Sequence, residues 1–339
     1  MKYLKLSEIC NPKQWKTLST EQLLDKGFPV YGANGKIGYY STYNHELPTI
    51  MITCRGATCG SINISEPKSW INGNAMCLDN LSSDVSLKYL AFYLQNYNFN
   101  HVISGSAQPQ ITREGLEKVK VKVYAKELQE KISIQLDKVQ KIISESKAIL
   151  EKYDTLIKSR FIEMFGDPKI NSSNLPTKKF IEVVKLQRGF DLPVQERNQD
   201  GLFNVYGSNG PLDKHDSFKV KAPGIVTGRS GTLGNVYYVL EDYWPLNTTL
   251  FSVDIHNNNV VYLKYLLELY DLSRFSEGAG VPTLNRNIVH DKDIIDVPLS
   301  LQNDFAAFVQ QIDKSKFAVQ KSLEKAETLY KSLMQEYFA

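Results

Sequence analysis

The chain has 339 residues, of which 42% are hydrophobic and 23% charged; this excludes a mainly disordered protein and gives room for two or three domains. Its 40 Lys and Arg against 37 Asp and Glu leave a net charge of +3, too little to hold DNA by charge alone unless the charge is segregated or a partner adds more. No apolar run is long enough to cross a bilayer, the opening Met1-Lys2-Tyr3-Leu4-Lys5 does not start a signal peptide, and the expected setting is a reducing cytoplasm with four free thiols.

In chain order, residues 1–123 are rich in Gly, Asn, Tyr and β-branched residues. Short strand-like runs such as Thr49-Ile50-Met51-Ile52-Thr53 end at glycine turns. A helical stretch follows near Leu87–Leu94. From Lys126 to Met164 there is neither Gly nor Pro, and Leu128, Ile132, Leu136, Val139, Ile143, Leu150, Tyr153, Ile157 and Phe161 recur at helical steps. This predicts one long amphipathic helix, stopped by Gly166 and Pro168. After a linker over Lys169–Pro176 the plan begins again. Gly224-Ile225-Val226-Thr227 reads as a strand and Val260–Tyr270 as a helix. Leu301 to Phe338 carries a second long stripe through Phe305, Phe308, Ile312, Val319, Leu323, Ala326, Leu329, Leu333 and Tyr337.

The chain is a tandem repeat. Val30-Tyr31-Gly32-Ala33-Asn34-Gly35 returns as Val205-Tyr206-Gly207-Ser208-Asn209-Gly210. Thr53-Cys54-Arg55-Gly56 returns as Thr227-Gly228-Arg229-Ser230, Trp70 as Trp244, and Pro109 and Arg113 as Pro282 and Arg286. The period is that of a domain. The predicted fold class is therefore α/β (mixed α+β): two globules joined by two long antiparallel helices forming a coiled coil, with a pseudo-twofold internal repeat. The helices, about 55–60 Å each at 1.5 Å per residue, bury their stripes on each other through Leu128, Ile143, Leu150, Ile157, Phe305, Ile312, Leu323 and Leu333. That pairing would set the globules at opposite ends.

No catalytic motif is present. Gly32-Ala33-Asn34-Gly35-Lys36 lacks the first Gly and the Ser or Thr of a phosphate loop and reads as a turn. Cys54, Cys59 and Cys77 contain no CxxC pair and read as small buried thiols, and the five histidines form no HExxH, so no metal site is assigned. Arg55 and Arg229, placed at the same point of the two repeats just after a strand, either satisfy carbonyls in a turn or contact phosphate or guanine. Asn34, Lys36, Asn209 and Ser230 lie near them in sequence. Gln108, Gln110, Arg113, Asn285 and Arg286 form a second polar loop, in which Gln or Asn could read adenine.

These features together resemble the specificity subunit of type I restriction-modification systems. The residues that carry the resemblance are Arg188-Gly189-Phe190-Asp191-Leu192-Pro193, the Val205–Gly210 and Gly228–Gly234 runs, Trp244-Pro245-Leu246-Asn247-Thr248-Thr249, Val281-Pro282-Thr283-Leu284-Asn285, and the helix exit Phe161–Pro168. The first copy departs from this pattern, with Cys10-Asn11-Pro12-Lys13-Gln14-Trp15 at its opening.

The resemblance implies a target recognition domain over 1–123, a spacer helix over 124–168, a linker and second recognition domain over 169–298, and a spacer helix over 299–339. Each recognition domain would read one half of a bipartite site in double-stranded DNA. The helices would hold two methyltransferase subunits, and two restriction (translocase and nuclease) subunits could join. This chain would bind no cofactor: S-adenosylmethionine, ATP and magnesium would sit on its partners. The specificity subunit of a type IIB enzyme and a protein-binding adaptor are the alternatives.

Overall fold

The computed structural model describes residues 1–105, 109–278, 280 and 282–339. The chain divides into two compact units: Met1–Glu145 with Ser322–Ala339, and Ser146–Lys321. Among the described residues no helix is long and apolar enough to cross a membrane.

In the first unit an antiparallel four-stranded sheet runs in the order Asn11–Lys13, Ala75–Asp79, Ile50–Thr53, Ile62–Ile64. Beside it lies a three-stranded sheet in the order Gly35–Tyr40, Phe28–Gly32, Trp70–Ile71. The second unit repeats both. Its four strands are Lys185–Arg188, Thr249–Asp254, Gly224–Gly228 and Val236–Val239, and its three are Gly210–His215, Phe203–Gly207 and Tyr243–Pro245. In each unit the first strand of the globule pairs with the last, Lys2–Lys5 with Lys120–Val123 and Thr177–Lys179 with Asp293–Ile295. The run read as a failed phosphate loop is a hairpin turn, closed by pairing of Gly32 with Gly35.

The long helices span Lys126–Phe165 and Leu299–Phe338. The second starts two residues before the expected point because Pro298 supplies the entry: its carbonyl accepts from Gln302 N–H at 3.2 Å. Gly166, at φ +76°, caps the first and donates its N–H to Ile162 O at 2.8 Å. In the first unit Ile132, Leu136 and Val139 from the opening of the first helix join Leu333, Met334 and Phe338 from the close of the second. There Tyr337 Oη donates to Gln135 Oε1 at 2.9 Å. In the second unit Ile157, Phe161 and Phe165 from the close of the first helix join Phe305, Ala306 and Val309 from the opening of the second. In each unit, then, an opening meets a close, so the paired segments run antiparallel as a coiled coil.

Ile157, Phe305 and Leu333 are buried in these seams, Leu323 is buried as well, and Ile143, Leu150 and Ile312 are half-buried. Leu128, placed in the seam from its spacing, is 41% exposed. The position that turns inward is its neighbour Gln129, fully buried. Gln129 Oε1 accepts from Ser86 N–H at 2.8 Å, and its Nε2 donates to Asp84 O at 3.0 Å and Tyr124 O at 2.8 Å. Gln302 repeats this in the second unit. Its Oε1 accepts from Asn259 N–H at 2.8 Å, and its Nε2 donates to Val297 O at 2.8 Å and Asn258 Oδ1 at 2.7 Å. Ser86 and Asn259 are the N-caps of the short globule helices Leu87–Asn96 and Val260–Tyr270, so one amide clamps each long helix to its globule.

Replacing Gln129 by Leu keeps the volume but removes the partner of one backbone N–H and two carbonyls. The expected loss is roughly 3 kcal/mol, read by calorimetry of the full chain, whereas the same change at exposed Gln140 should stay within about 0.5 kcal/mol.

Candidate nucleic-acid interface

The edge of the four-stranded sheet brings the sequence-selected residues together, and the ladders define which of them correspond. Met51 faces Cys77 and Val226 faces Phe251. Cys54 N–H donates to Asn74 O at 3.2 Å, and Arg229 N–H donates to Thr248 O at 2.8 Å. Ile111 N–H donates to Cys54 O at 3.0 Å, and Leu284 N–H donates to Arg229 O at 2.8 Å. Arg229 therefore stands where Cys54 stands, and Ser230 where Arg55 stands, which corrects the pairing of Arg55 with Arg229. The reason is a turn of unequal length. Gly56 and Gly60 (φ +87° and +93°) bracket one residue more than Gly231 and Gly234 (φ +84° and +89°), so aligning the closing glycines slides the strands by one.

In the second unit a cleft of about 400 Å³ opens here, lined by Arg188, Arg229, Glu277, Asn285, Arg286 and neighbours. Three guanidiniums thus meet one carboxylate. Arg229 Nη1 has the Asn247 carbonyl at 3.4 Å. Among the described residues the side chains of Arg188 and Arg286 have no hydrogen bond or ion pair. Arginines left with unused donors in a concave site suit an anion, or the O6 and N7 acceptors of guanine. Arg188 was not selected from the sequence as a contact; its place opposite Leu250 in the ladder turns it to this edge.

Two structural devices hold the cleft. Asn285 is the N-cap of the helix Arg286–His290, its Oδ1 accepting from Asn287 N–H at 3.1 Å. At the other end of that helix His290 Nε2 accepts from Leu186 N–H at 2.9 Å, tying the Arg286 helix to the Arg188 strand. Accepting this bond requires a neutral imidazole. Burial first, then the charges of Arg286 and Lys185, push the His290 pKa below its ordinary value.

The first unit differs at each matching place. Gln14 replaces Arg188, and its Nε2 donates to Cys54 Sγ at 3.0 Å and Gly73 O at 2.7 Å. Pro12 replaces Leu186 and has no N–H to offer. Arg113, matched with Arg286 as the sequence indicated, is instead held by Glu117 Oε1 at 2.6 Å and Asn11 Oδ1 at 2.9 Å. Arg55 is exposed and bridges Gln110 through the backbone. Gln108 lies outside the described residues. Asn34 accepts from Thr58 Oγ1 at 2.6 Å, and Lys36 lies 3.5 Å from Glu66 Oε1 and over the Tyr39 ring. Asn209 is exposed and Ser230 half-buried, bridged to Thr283.

Residues 1–152 match the family described as type I restriction modification DNA specificity domain. A protein of Mycoplasma pneumoniae assigned as a type I specificity subunit is 20% identical over 300 residues, 83% of this chain and 81% of its own length. The crystal structure of a type I specificity subunit from M. genitalium superposes with a TM-score of 0.75 at 16% identity, covering 100% of this chain and 96% of that one. A chain from a structure concerned with complex assembly and conformational transition of the type I system gives 0.57 at 13% identity, covering 99% and 97%. Residues 1–152 carry the type I DNA specificity domain signature, and the whole chain has the fold of the M. genitalium specificity subunit. The family match covers the first globule, and the ladder equivalences extend the same plan to the second.

Asn285→Ala should cost about 1 kcal/mol of stability through loss of the cap, seen as a lower melting temperature, while Arg286→Ala should leave melting within about 0.5 kcal/mol. For His290 the folded-state pKa lies below the unfolded one. Its contribution is therefore complete above the unfolded value, about 6.5, and is lost as pH falls toward the folded value. Melting of wild type against His290→Gln across that window should show the wild type losing its advantage on the acid side.

Proposed function

We propose that this chain is the non-catalytic DNA-reading subunit of a type I restriction-modification complex, each globule reading one half of a bipartite duplex target. The observation that carries the reading is the cleft of Arg188, Arg229 and Arg286 against the single carboxylate of Glu277. Its donors suit phosphate or guanine. The matching place in the first globule presents Gln14 and Cys54, with Arg113 already paired. The two halves of the target would then be read with different chemistry. The net charge of +3 accords with affinity shared with partners rather than supplied by this chain alone.

The long helices are the surface for two modification subunits, with restriction subunits joining that assembly. In support, the first helix leaves Ile134 (54%), Ile149 and Leu156 exposed, and the second leaves Phe317 72% exposed, more apolar surface than solvated helices ordinarily show. S-adenosylmethionine, ATP and magnesium belong to those partners.

The test uses the chain co-expressed with its modification subunits. Arg188→Ala and Arg229→Ala should each weaken DNA binding. A lost phosphate contact should lower the slope of log affinity against log salt by about 1. A lost guanine contact should cost about 1–3 kcal/mol and relax one position of one half-site in the adenine methylome. Unchanged affinity and methylome with intact melting would overturn the assignment of the cleft.

A further inference from the structure

The first globule holds a polar cluster that its fold does not require. Cys77 and Asp79 alternate on the strand Ala75–Asp79, so both turn to one face, and His45 comes to them from a segment bridged to Ser69. One ligand atom from each, His45 nitrogen, Cys77 sulfur and Asp79 oxygen, lie within 4.8 Å of one another. Among the described residues no other such group of His, Cys and carboxylates is found. In the second globule the matching bridge is Val220 with Tyr243, and Phe251 stands at the place of Cys77. The same architecture closes there with apolar side chains.

The surroundings orient the three. Asn44 is fixed by two bonds to Ile71: its Oδ1 accepts from Ile71 N–H at 2.8 Å and its Nδ2 donates to Ile71 O at 3.0 Å. The oxygen nearest the imidazole is therefore an acceptor, and His45 Nδ1 donates to it at 2.6 Å. That places the neutral ring's lone pair on Nε2, which lies 3.0 Å from Asp79 Oδ1. Trp15 Nε1 donates to the other carboxylate oxygen at 3.0 Å. The Nε2 lone pair, the carboxylate oxygen and the buried sulfur converge on one point, as the donor atoms of a cation site do. A ring nitrogen whose other N–H is held by a side-chain oxygen is how metal-binding histidines are set.

We propose that His45, Cys77 and Asp79 form a zinc-binding site in the first globule, with water as the fourth ligand. Nitrogen, sulfur and oxygen donors of this kind suit a tetrahedral zinc ion. Cys77 releases its thiol proton to solvent as the zinc–sulfur bond forms, His45 binds through Nε2, and Asp79 through Oδ1. Asn44 and Trp15 are positioning residues that hold the imidazole and the carboxylate. The site bears on the stability of one recognition domain and is independent of how DNA is read.

The full chain, loaded with zinc and dialysed into metal-free buffer, should retain about one zinc per chain by mass spectrometry of the metal. Cobalt in place of zinc should give a thiolate-to-metal absorption band in the near ultraviolet. Cys77→Ser should abolish the band and His45→Ala the retained zinc. Asn44→Ala, outside the ligand set, should weaken zinc binding by roughly 10–100-fold and keeps the proposal testable if a ligand variant does not fold. Wild type without retained zinc and without a cobalt band would overturn the site, leaving a proton shared by an imidazolium–carboxylate pair. Zinc retention unmoved by all three variants would overturn it equally.

Discussion

A buried amide joins each globule to its long helix, and the rest of the architecture follows from that constraint. A helix of forty residues is not held in place by its own propensity; it needs a face to bury and a point at which its azimuth is set. Apolar side chains supply the area but tolerate rotation and sliding. Gln129 and Gln302 do not, because each satisfies a backbone N–H and two acceptors at once, both of them backbone for Gln129 and one of them the Asn258 side chain for Gln302. A rotation of the helix by one position would bury the amide without its partners. Around each amide the aromatic cores close, Tyr89 on Phe338 in the first unit and Phe161 on Tyr262 and Phe305 in the second.

With the frame set in this way, the two globules carry one set of backbone ladders and opposite side-chain chemistry. Cys54 against Arg229, Gln14 against Arg188 and Pro12 against Leu186 are changes at matched ladder positions. They add two guanidiniums, Arg188 and Arg229, beside an Arg286 whose counterpart Arg113 is already paired in the first unit. The backbone does not move to allow this, since Cys54 and Arg229 make the same two main-chain bonds. What a globule binds is thus separable from what holds it together. The same separation holds deeper in the sheet, where His45 and Cys77 in one unit answer to Val220 and Phe251 in the other.

The helices show a second division of labour. Their inward positions alternate between full burial and half burial, and a row of large apolar side chains including Ile134, Ile149 and Leu156 stays in contact with solvent. Such a helix is more apolar than its own seam needs. A narrow stripe read from spacing alone therefore underestimates how much of the surface is hydrophobic, and misplaces residues such as Leu128 and Leu329, 41% and 49% exposed.

Much of the plan was legible in the sequence because it rests on local rules. The repeat, the two long helices, the stop at Gly166 and the hairpin at Gly32–Gly35 each follow from periodicity, backbone freedom or the absence of Gly and Pro. Arg113 and Arg286 were matched correctly because the segments that hold them have equal length. The pairing of Arg55 with Arg229 failed because a turn differs by one residue, and only ladder hydrogen bonds reveal on which side of it the extra residue falls. Asn285, selected as a base reader from its residue type, also caps a helix, since a short polar side chain before a helix has backbone donors within reach. The contacts of Arg188 and Gln129 and the meeting of His45, Cys77 and Asp79 carried no local signal. Each is defined by partners distant in the chain, and the sequence determined the elements while the tertiary structure alone decided which side chains meet, because long-range hydrogen-bond registers and burial have no signature in spacing.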